Sequence, residues 1–197
     1  CVTGVQTCAL PILIGELKTV RTNKGTYQTR RIILANGGTP RKLGIPGEKE
    51  LTGKGMGLNA PRDAAAYTGK NIYVVGGADG AVKEALYLSS FARKLTIIHF
   101  EDQLGCIPEF RQKVAAAGNI TLKLSSRLHA VYGQNQVERL EIASEQDGSI
   151  ETIEDPGCGI FVYAGVTPNT QMYGQLTLQD GYIVTNEKID RKSTRLN

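Results

Sequence analysis

A glycine turn between an apolar run and a helix-forming run is the part of this sequence best suited to bind a ligand. Residues 72–75 (Ile-Tyr-Val-Val) are typical of a buried strand. The turn that follows is rich in glycine, which lets a ligand approach the backbone without meeting a Cβ. From residue 79 onwards, small and apolar residues recur at helical spacing. The N–H groups and the positive dipole end of a helix that begins there would suit a diphosphate.

A second apolar run and an acidic residue extend this pattern into a βαβ unit. Residues 95–98 predict a second strand, and Glu101 follows 25 positions after Gly76. This order is typical of units that bind dinucleotides. The residues predicted to contact the dinucleotide are Gly76, Gly77, Ala78, Asp79, Gly80 and Ala81 at the turn and His99, Phe100 and Glu101 after the second strand. Ala78 replaces the second glycine of the G-x-G-x-x-G/A pattern, so the alternative is a turn that serves packing alone.

The two ends of the chain are predicted to be non-native tails, at residues 1–12 and 191–197. The chain begins with Cys1, and both ends resemble peptides translated from sequencing adapters. The formal net charge is +4, and the second tail supplies three of these charges, which leaves +1 for the rest. Because no basic stripe with interleaved aromatic residues remains, we expect no nucleic-acid partner.

The cysteines outside the tails give no sign of a redox or metal site. Cys106 and Cys158 are 52 residues apart and form neither a C-x-x-C motif nor a zinc-ligand pattern. We expect buried, unreactive thiols, no bound metal and a location in the reducing cytoplasm. The apolar run at residues 9–14 is far shorter than a membrane span, so we expect no membrane association.

The elements around the βαβ unit predict an α/β fold, a Rossmann-like dinucleotide-binding domain with a βαβ core and a β-meander. Before the unit, the sequence predicts a hairpin at residues 17–35 that ends in an apolar strand at 32–35, and a short helix at 59–67. After it, the predicted elements are a helix at 107–117, a strand at 119–124, a three-stranded meander within 130–153, a buried strand at 160–163 and a strand pair within 176–184.

These segments together resemble the thioredoxin reductase-like group of FAD/NAD(P)-dependent pyridine nucleotide-disulfide oxidoreductases. The resemblance covers about residues 13–190, and the segments that carry it are residues 31–43, 45–48, 74–86, 95–99 and 161–170. In that family an NAD(P) domain interrupts an FAD domain. The resemblance therefore implies an NAD(P)-binding domain at residues 68–155, flanked by partial FAD-domain segments at residues 13–67 and 156–190.

The first departure from the family concerns its redox dithiol. The family's C-x-x-C-D motif falls on residues 59–63, where Asn59 and Arg62 replace the cysteines and Asp63 remains. A dithiol shuttle needs two thiols within bonding distance. We therefore expect no thioredoxin reduction by the usual route, and the electron acceptor is left unassigned.

The second departure concerns the choice of nucleotide. Members that use NADPH carry His-Arg-Arg after the second strand, and here that stretch is His99-Phe100-Glu101, followed by Asp102. A carboxylate repels a 2′-phosphate but can accept hydrogen bonds from ribose hydroxyls. NADH is therefore expected in preference to NADPH. The alternative is that Glu101 and Asp102 cap the next segment and point to solvent.

On the FAD side, the resemblance implies roles for Asn36 and Gly37, which match a family turn, and for Gly165; the alternative is turn chemistry alone. The family's two FAD motifs would lie before residue 13 and after residue 190, so the chain is expected to be an inactive fragment of an FAD-dependent enzyme that takes hydride from NADH. No catalytic residue is assigned, and a homodimer of the full-length protein is left open. The alternative function is a non-catalytic module that senses NADH or serves a partner redox subunit.

Overall fold

The computed structural model of the chain describes residues 10–12, as backbone alone, and residues 16–184. The chain divides into two compact units, one at Arg41–Gly165 and one formed by Cys1–Pro40 with Val166–Asn197. Of the two predicted non-native tails, only Leu10–Ile12 falls within the described residues, where it forms a strand.

The strands of the described residues, in chain order, are β1 (Leu10–Ile12), β2 (Lys18–Thr22), β3 (Gly25–Thr29), β4 (Gly38–Pro40), β5 (Asn71–Val75), β6 (Lys94–Ile98), β7 (Ile120–Lys123), β8 (Ser126–Tyr132), β9 (Arg139–Ser144), β10 (Ile150–Glu154), β11 (Gly159–Val162), β12 (Val166–Pro168), β13 (Leu178–Gln179) and β14 (Tyr182–Ile183). The helices are α1 (Glu48–Leu51), α2 (Ala60–Asp63), α3 (Asp79–Ser89) and α4 (Pro108–Ala116), and a 3₁₀ turn at Ala64–Tyr67 follows α2. Among these described helices, none is both long enough and apolar enough to cross a membrane.

A four-stranded parallel sheet in the order β11-β5-β6-β7 forms the centre of the larger unit. β5, β6 and β11 are largely buried because both faces of the sheet are covered at these strands, whereas the edge strand β7 is more exposed. On one face, Ile72 and Val74 pack in the same cluster as the buried side of α3. On the other face, Tyr73 and Val75 pack in the same cluster as the meander β8-β9-β10. The predicted α/β fold, with its βαβ core and β-meander, is confirmed.

The larger unit is wider than the predicted NAD(P)-binding domain of residues 68–155. β11 pairs in parallel with β5 and so completes the central sheet. Leu51 and Met56 are buried in the cluster beneath the meander, and Met56 also bridges to Ile160 of β11. Residues 41–67 and 156–165 are therefore built into the same unit as the sheet. Which residues form the NAD(P) and FAD domains in a functional sense stays a prediction.

The smaller unit consists of paired strands. The predicted hairpin is confirmed, because β2 and β3 pair in antiparallel fashion, and β1 pairs with β2. β4 pairs with β12, and β13 with β14. The predicted apolar strand at residues 32–35 is wrong: no strand forms there, and Ile33 is 92% exposed. An apolar run becomes a buried strand only beside a strand that pairs with it, and the described part of this unit offers it none.

Candidate nucleotide-binding site

The first two glycines of the turn are required by packing. Gly76 has a φ of +131°, and a Cβ there would lie 2.6 Å from the Tyr163 carbonyl oxygen and 3.0 Å from the Ala81 Cβ. A Cβ on Gly77 would lie 2.4 Å from Cδ2 of His99. These positions therefore let β5, α3 and the strand ends approach one another closely. The packing interpretation of the turn thus accounts for both residues.

Gly80 differs, because packing does not explain it. A Cβ at this position would meet no atom within 4 Å, and the residue is exposed in the first turn of α3. The neighbouring Ala81 is buried and faces the core. Gly80 thus leaves an open surface at the start of the helix, where a ligand could reach the backbone.

The N-terminus of α3 carries no side-chain cap. Ala78 occupies the N-cap position in an extended conformation and has no side-chain acceptor to offer. Asp79 turns outward, and its Oδ1 accepts a hydrogen bond of 2.8 Å from the backbone N–H of Ile107. The first N–H groups of this 11-residue helix and its positive dipole end are therefore suited to an external anion. This arrangement fits the diphosphate of a dinucleotide.

The two polar residues after β6 have different environments. His99 is buried, with 6% of its surface exposed, whereas the Glu101 side chain is 51% exposed. His99 Nε2 lies 2.9 Å from Glu101 Oε2. The Glu101 carboxylate is thus bonded to the preceding histidine rather than to the backbone of the segment that follows. Because Glu101 is the more exposed of the two, a ligand at the end of β6 would contact its carboxylate before the His99 ring.

Arg127 of β8 lies near the end of β6, and the sequence analysis did not predict it there. Its guanidinium carbon lies 4.6 Å from the centroid of the exposed Phe100 ring, and its Nε donates to Glu145. The start of β8 lies beside the segment that follows β6, because the Ser125 N–H donates to the Glu101 carbonyl and the Ser126 N–H donates to the His99 carbonyl. Arg127 is 27 residues from Phe100 in sequence, and no spacing rule could have linked the two.

The residues predicted to occupy the family's dithiol positions form a helix cap. Asn59 is the N-cap of α2; its Oδ1 accepts from the N–H of Arg62 at 3.2 Å, and its own N–H donates to Asp63 Oδ2 at 2.7 Å. The Arg62 guanidinium makes two bonds of 2.8 and 2.9 Å to the Asp63 carboxylate. Hydrogen bonding to Arg62 lowers the pKa of Asp63 below its ordinary value. These residues support the local fold and have no thiol to offer.

Cys106 and Cys158 are free and buried, as predicted. Burial raises the pKa of the Cys106 thiol, and it raises the pKa of Cys158 to about 12. Both groups therefore stay protonated near neutral pH, which disfavours nucleophilic chemistry.

The predicted FAD-side residues fall in different units. In the smaller unit, the Asn36 side chain accepts a short hydrogen bond from the Tyr173 hydroxyl, and its backbone carbonyl accepts from Asn169 Nδ2 at 3.0 Å. Gly37 has a φ of +63°, and a Cβ there would meet no atom, so its backbone is approachable. Gly165 ends the larger unit, where its carbonyl accepts from the Arg41 N–H at 2.9 Å. Gly37 fits a place beside a cofactor, whereas the Asn36 side chain is committed to its own unit.

Comparison with known proteins shows which family the chain resembles. The family profile described as pyridine nucleotide-disulphide oxidoreductase matches residues 10–195. A thioredoxin reductase from Peptoclostridium acidaminophilum is 36% identical over 183 residues, which cover 90% of this chain and 58% of that protein. A glucosaminate ammonia-lyase from Pseudomonas fluorescens is 37% identical over 181 residues, covering 89% and 56%.

The fold agrees with a solved structure. The crystal structure of Lactococcus lactis thioredoxin reductase (FR conformation) matches with a TM-score of 0.85 and 28% identity, covering 93% of this chain and 61% of that one. The chain spans a little over half the length of the curated relatives that it matches.

Proposed function

The chain belongs to the pyridine nucleotide-disulphide oxidoreductase family, and from this premise we propose that its larger unit binds NADH and that the full-length protein is an FAD-dependent oxidoreductase. The observation that carries the proposal is the uncapped N-terminus of α3, which follows the glycine turn and leaves Gly80 open. NADH would supply a hydride and FAD would accept it. The residues of this chain would bind and orient the nucleotide.

The diphosphate would lie at the first turn of α3. The backbone N–H groups of residues 79–81 would donate to its oxygens, while Gly76 and Gly77 hold the turn against the neighbouring strands. Asp79 does not oppose this arrangement, because its carboxylate is directed towards the Ile107 N–H. Gly37, in the smaller unit, would contact the FAD.

The preference for NADH is supported by the charge at the end of β6. The exposed Glu101 carboxylate can accept bonds from ribose hydroxyls and would repel a 2′-phosphate. The cation beside it, Arg127, is already bonded to Glu145. Both observations favour the nucleotide that lacks the phosphate.

The electron acceptor of the full-length protein is proposed to be something other than a dithiol of its own. Asn59 and Arg62 are parts of a helix cap, and the two described cysteines are buried elsewhere. The two similar proteins named above carry different activities in their names, so neither name supplies the acceptor for this chain.

Calorimetric titration of the purified chain with NADH tests the proposal, using Gly80→Asp as the diagnostic variant. The added side chain meets open space, so the fold is kept, but its carboxylate stands where the diphosphate would bind. Gly118→Asp is the matched control, because a Cβ at Gly118 also meets no atom. We expect NADH affinity to fall at least about tenfold in Gly80→Asp alone. Unchanged affinity in that variant, or no binding to the unmodified chain, would overturn the proposal.

A further inference from the structure

The His99 ring joins the glycine turn to the carboxylate at the end of β6. A Cβ added to Gly77 would lie 2.4, 2.5 and 2.7 Å from three atoms of this ring, so the turn and the ring are in direct contact. On its other side, His99 Nε2 lies 2.9 Å from Glu101 Oε2. One buried ring thus spans the space between the proposed diphosphate and ribose sites.

The hydrogen bonds of this ring assign its tautomer. Nδ1 is buried and has no hydrogen-bond partner in the described part of the chain. A proton on Nδ1 would leave a buried donor unsatisfied and would set the Nε2 lone pair against the Glu101 carboxylate. An Nε2–H group instead donates to that carboxylate, and only the lone pair of Nδ1 is then left without a partner. Of the two tautomers, the one with its proton on Nε2 is therefore the one that fits this environment.

The consequence for Glu101 is restricted motion. An exposed glutamate side chain samples several rotamers, and ordering it for a ligand costs free energy. The bond from a buried ring fixes Oε2 before the ligand arrives and leaves Oε1 to accept from a ribose hydroxyl. A fixed carboxylate also cannot swing away from a 2′-phosphate.

We propose that His99 is a positioning residue that sets nucleotide discrimination by holding Glu101 and that does not itself contact the nucleotide. The proposal rests on the NADH site proposed above. In this proposal, Glu101 contacts the ribose and favours its diol over a 2′-phosphate. The buried His99 acts only through Glu101, by holding the carboxylate in place.

Calorimetric dissociation constants for NADH and NADPH test this assignment in His99→Phe, which keeps a ring against Gly77 and removes the donor. We expect the ratio of NADPH to NADH dissociation constants to fall by about three- to tenfold. His99→Gln, whose amide can donate, should restore part of the ratio. His129→Phe, a change at an exposed histidine of β8, should leave it unchanged. In a Glu101→Gln background, His99→Phe should have little further effect, since the two residues act as a unit.

The outcomes separate the two proposals. Equal losses for both nucleotides in His99→Phe, or a full effect in the Glu101→Gln background, would overturn the positioning role alone. Absence of NADH binding to the unmodified chain would overturn the NADH site and this inference together. Nitrogen NMR of the His99 ring in the unmodified chain gives a test that needs no variant: we expect a protonated Nε2 and an unprotonated Nδ1, and the opposite pattern would overturn the inference.

Discussion

The Arg127 guanidinium lies over the Phe100 ring, with 4.6 Å between its central carbon and the ring centroid, while its Nε donates to Glu145. A cation therefore lies beside the end of β6, although the residues that follow this strand in sequence, Phe100, Glu101 and Asp102, include no basic residue. Glu145 offsets the charge of that cation. We therefore expect the nucleotide preference of the proposed site to depend on Glu145, in the turn after β9, as well as on Glu101.

Glu145→Gln should raise the affinity for NADPH. The substitution frees Arg127 from its ion pair, so the guanidinium can turn to a 2′-phosphate and make charge-assisted bonds. Because both partners are exposed and screened by solvent, we expect a gain of about three- to tenfold, with NADH affinity little changed. Calorimetry with both nucleotides at low salt measures the effect.

A second arginine in the same unit provides the control. Arg139 lies over the Tyr132 ring at 4.1 Å and approaches Glu154 to 3.9 Å, so it repeats the arrangement in another place. Glu154→Gln should leave both affinities as they are. Equal gains for NADH and NADPH in Glu145→Gln would show that Arg127 does not approach the 2′ position.

The double change Phe100→Arg with Glu101→Arg should narrow or reverse the preference for NADH. Hydrogen bonds to charged groups contribute about 1.5–3 kcal/mol each, and about 1.4 kcal/mol corresponds to a tenfold change in affinity. We expect the unmodified chain to prefer NADH by about ten- to a hundredfold and the double variant to lose that margin. Equal affinities in the unmodified chain would mean that Glu101 does not face the ribose.

The sequence predicted the central elements well because their patterns are strong and local. Short apolar runs are typical of parallel strands, and β5, β6 and β11 form where such runs occur. The run at residues 32–35 has the same composition but forms no strand, because composition does not supply a pairing partner. The sequence likewise could not predict that the larger unit includes residues 41–67, since the burial of Leu51 and Met56 depends on tertiary packing.

The candidate site was predicted in part, for a related reason. The positions of the glycine turn and of Glu101 follow from spacing along one βαβ unit. The role proposed for His99 does not follow from spacing, because it depends on a ring that contacts both Gly77 and the Glu101 carboxylate. Arg127 comes from a separate strand, and single-sequence reasoning cannot bring distant residues together.

Gly77→Ala should destabilise the larger unit. The new methyl would lie 2.4 Å from the His99 ring, and that ring is buried and cannot withdraw without moving the strand end. Overpacking of this kind costs about 1–3 kcal/mol of unfolding free energy. Urea unfolding of the variant measures it, with Gly118→Ala as the control because its methyl meets open space. A variant as stable as the unmodified chain would show that the turn and His99 do not pack as described.

Asp63→Asn should remove part of the dependence of stability on acid. Hydrogen bonding to Arg62 lowers the pKa of Asp63 in the folded protein below its ordinary value of 3.8. A carboxylate whose pKa is lower when folded stabilises the fold above the unfolded pKa, and this contribution disappears as the pH falls through the folded value. The difference in unfolding free energy between the unmodified chain and the variant should therefore be present at pH 6 and shrink as the pH falls below about 4. Urea unfolding across this range measures the difference, and Glu109→Gln, in an exposed pair with Lys113, is the control for an ordinary surface ion pair. If the difference kept its size down to pH 2, the Asn59 cap would hold through its neutral hydrogen bonds, and the charge of the Arg62–Asp63 pair would contribute nothing to the stability of α2.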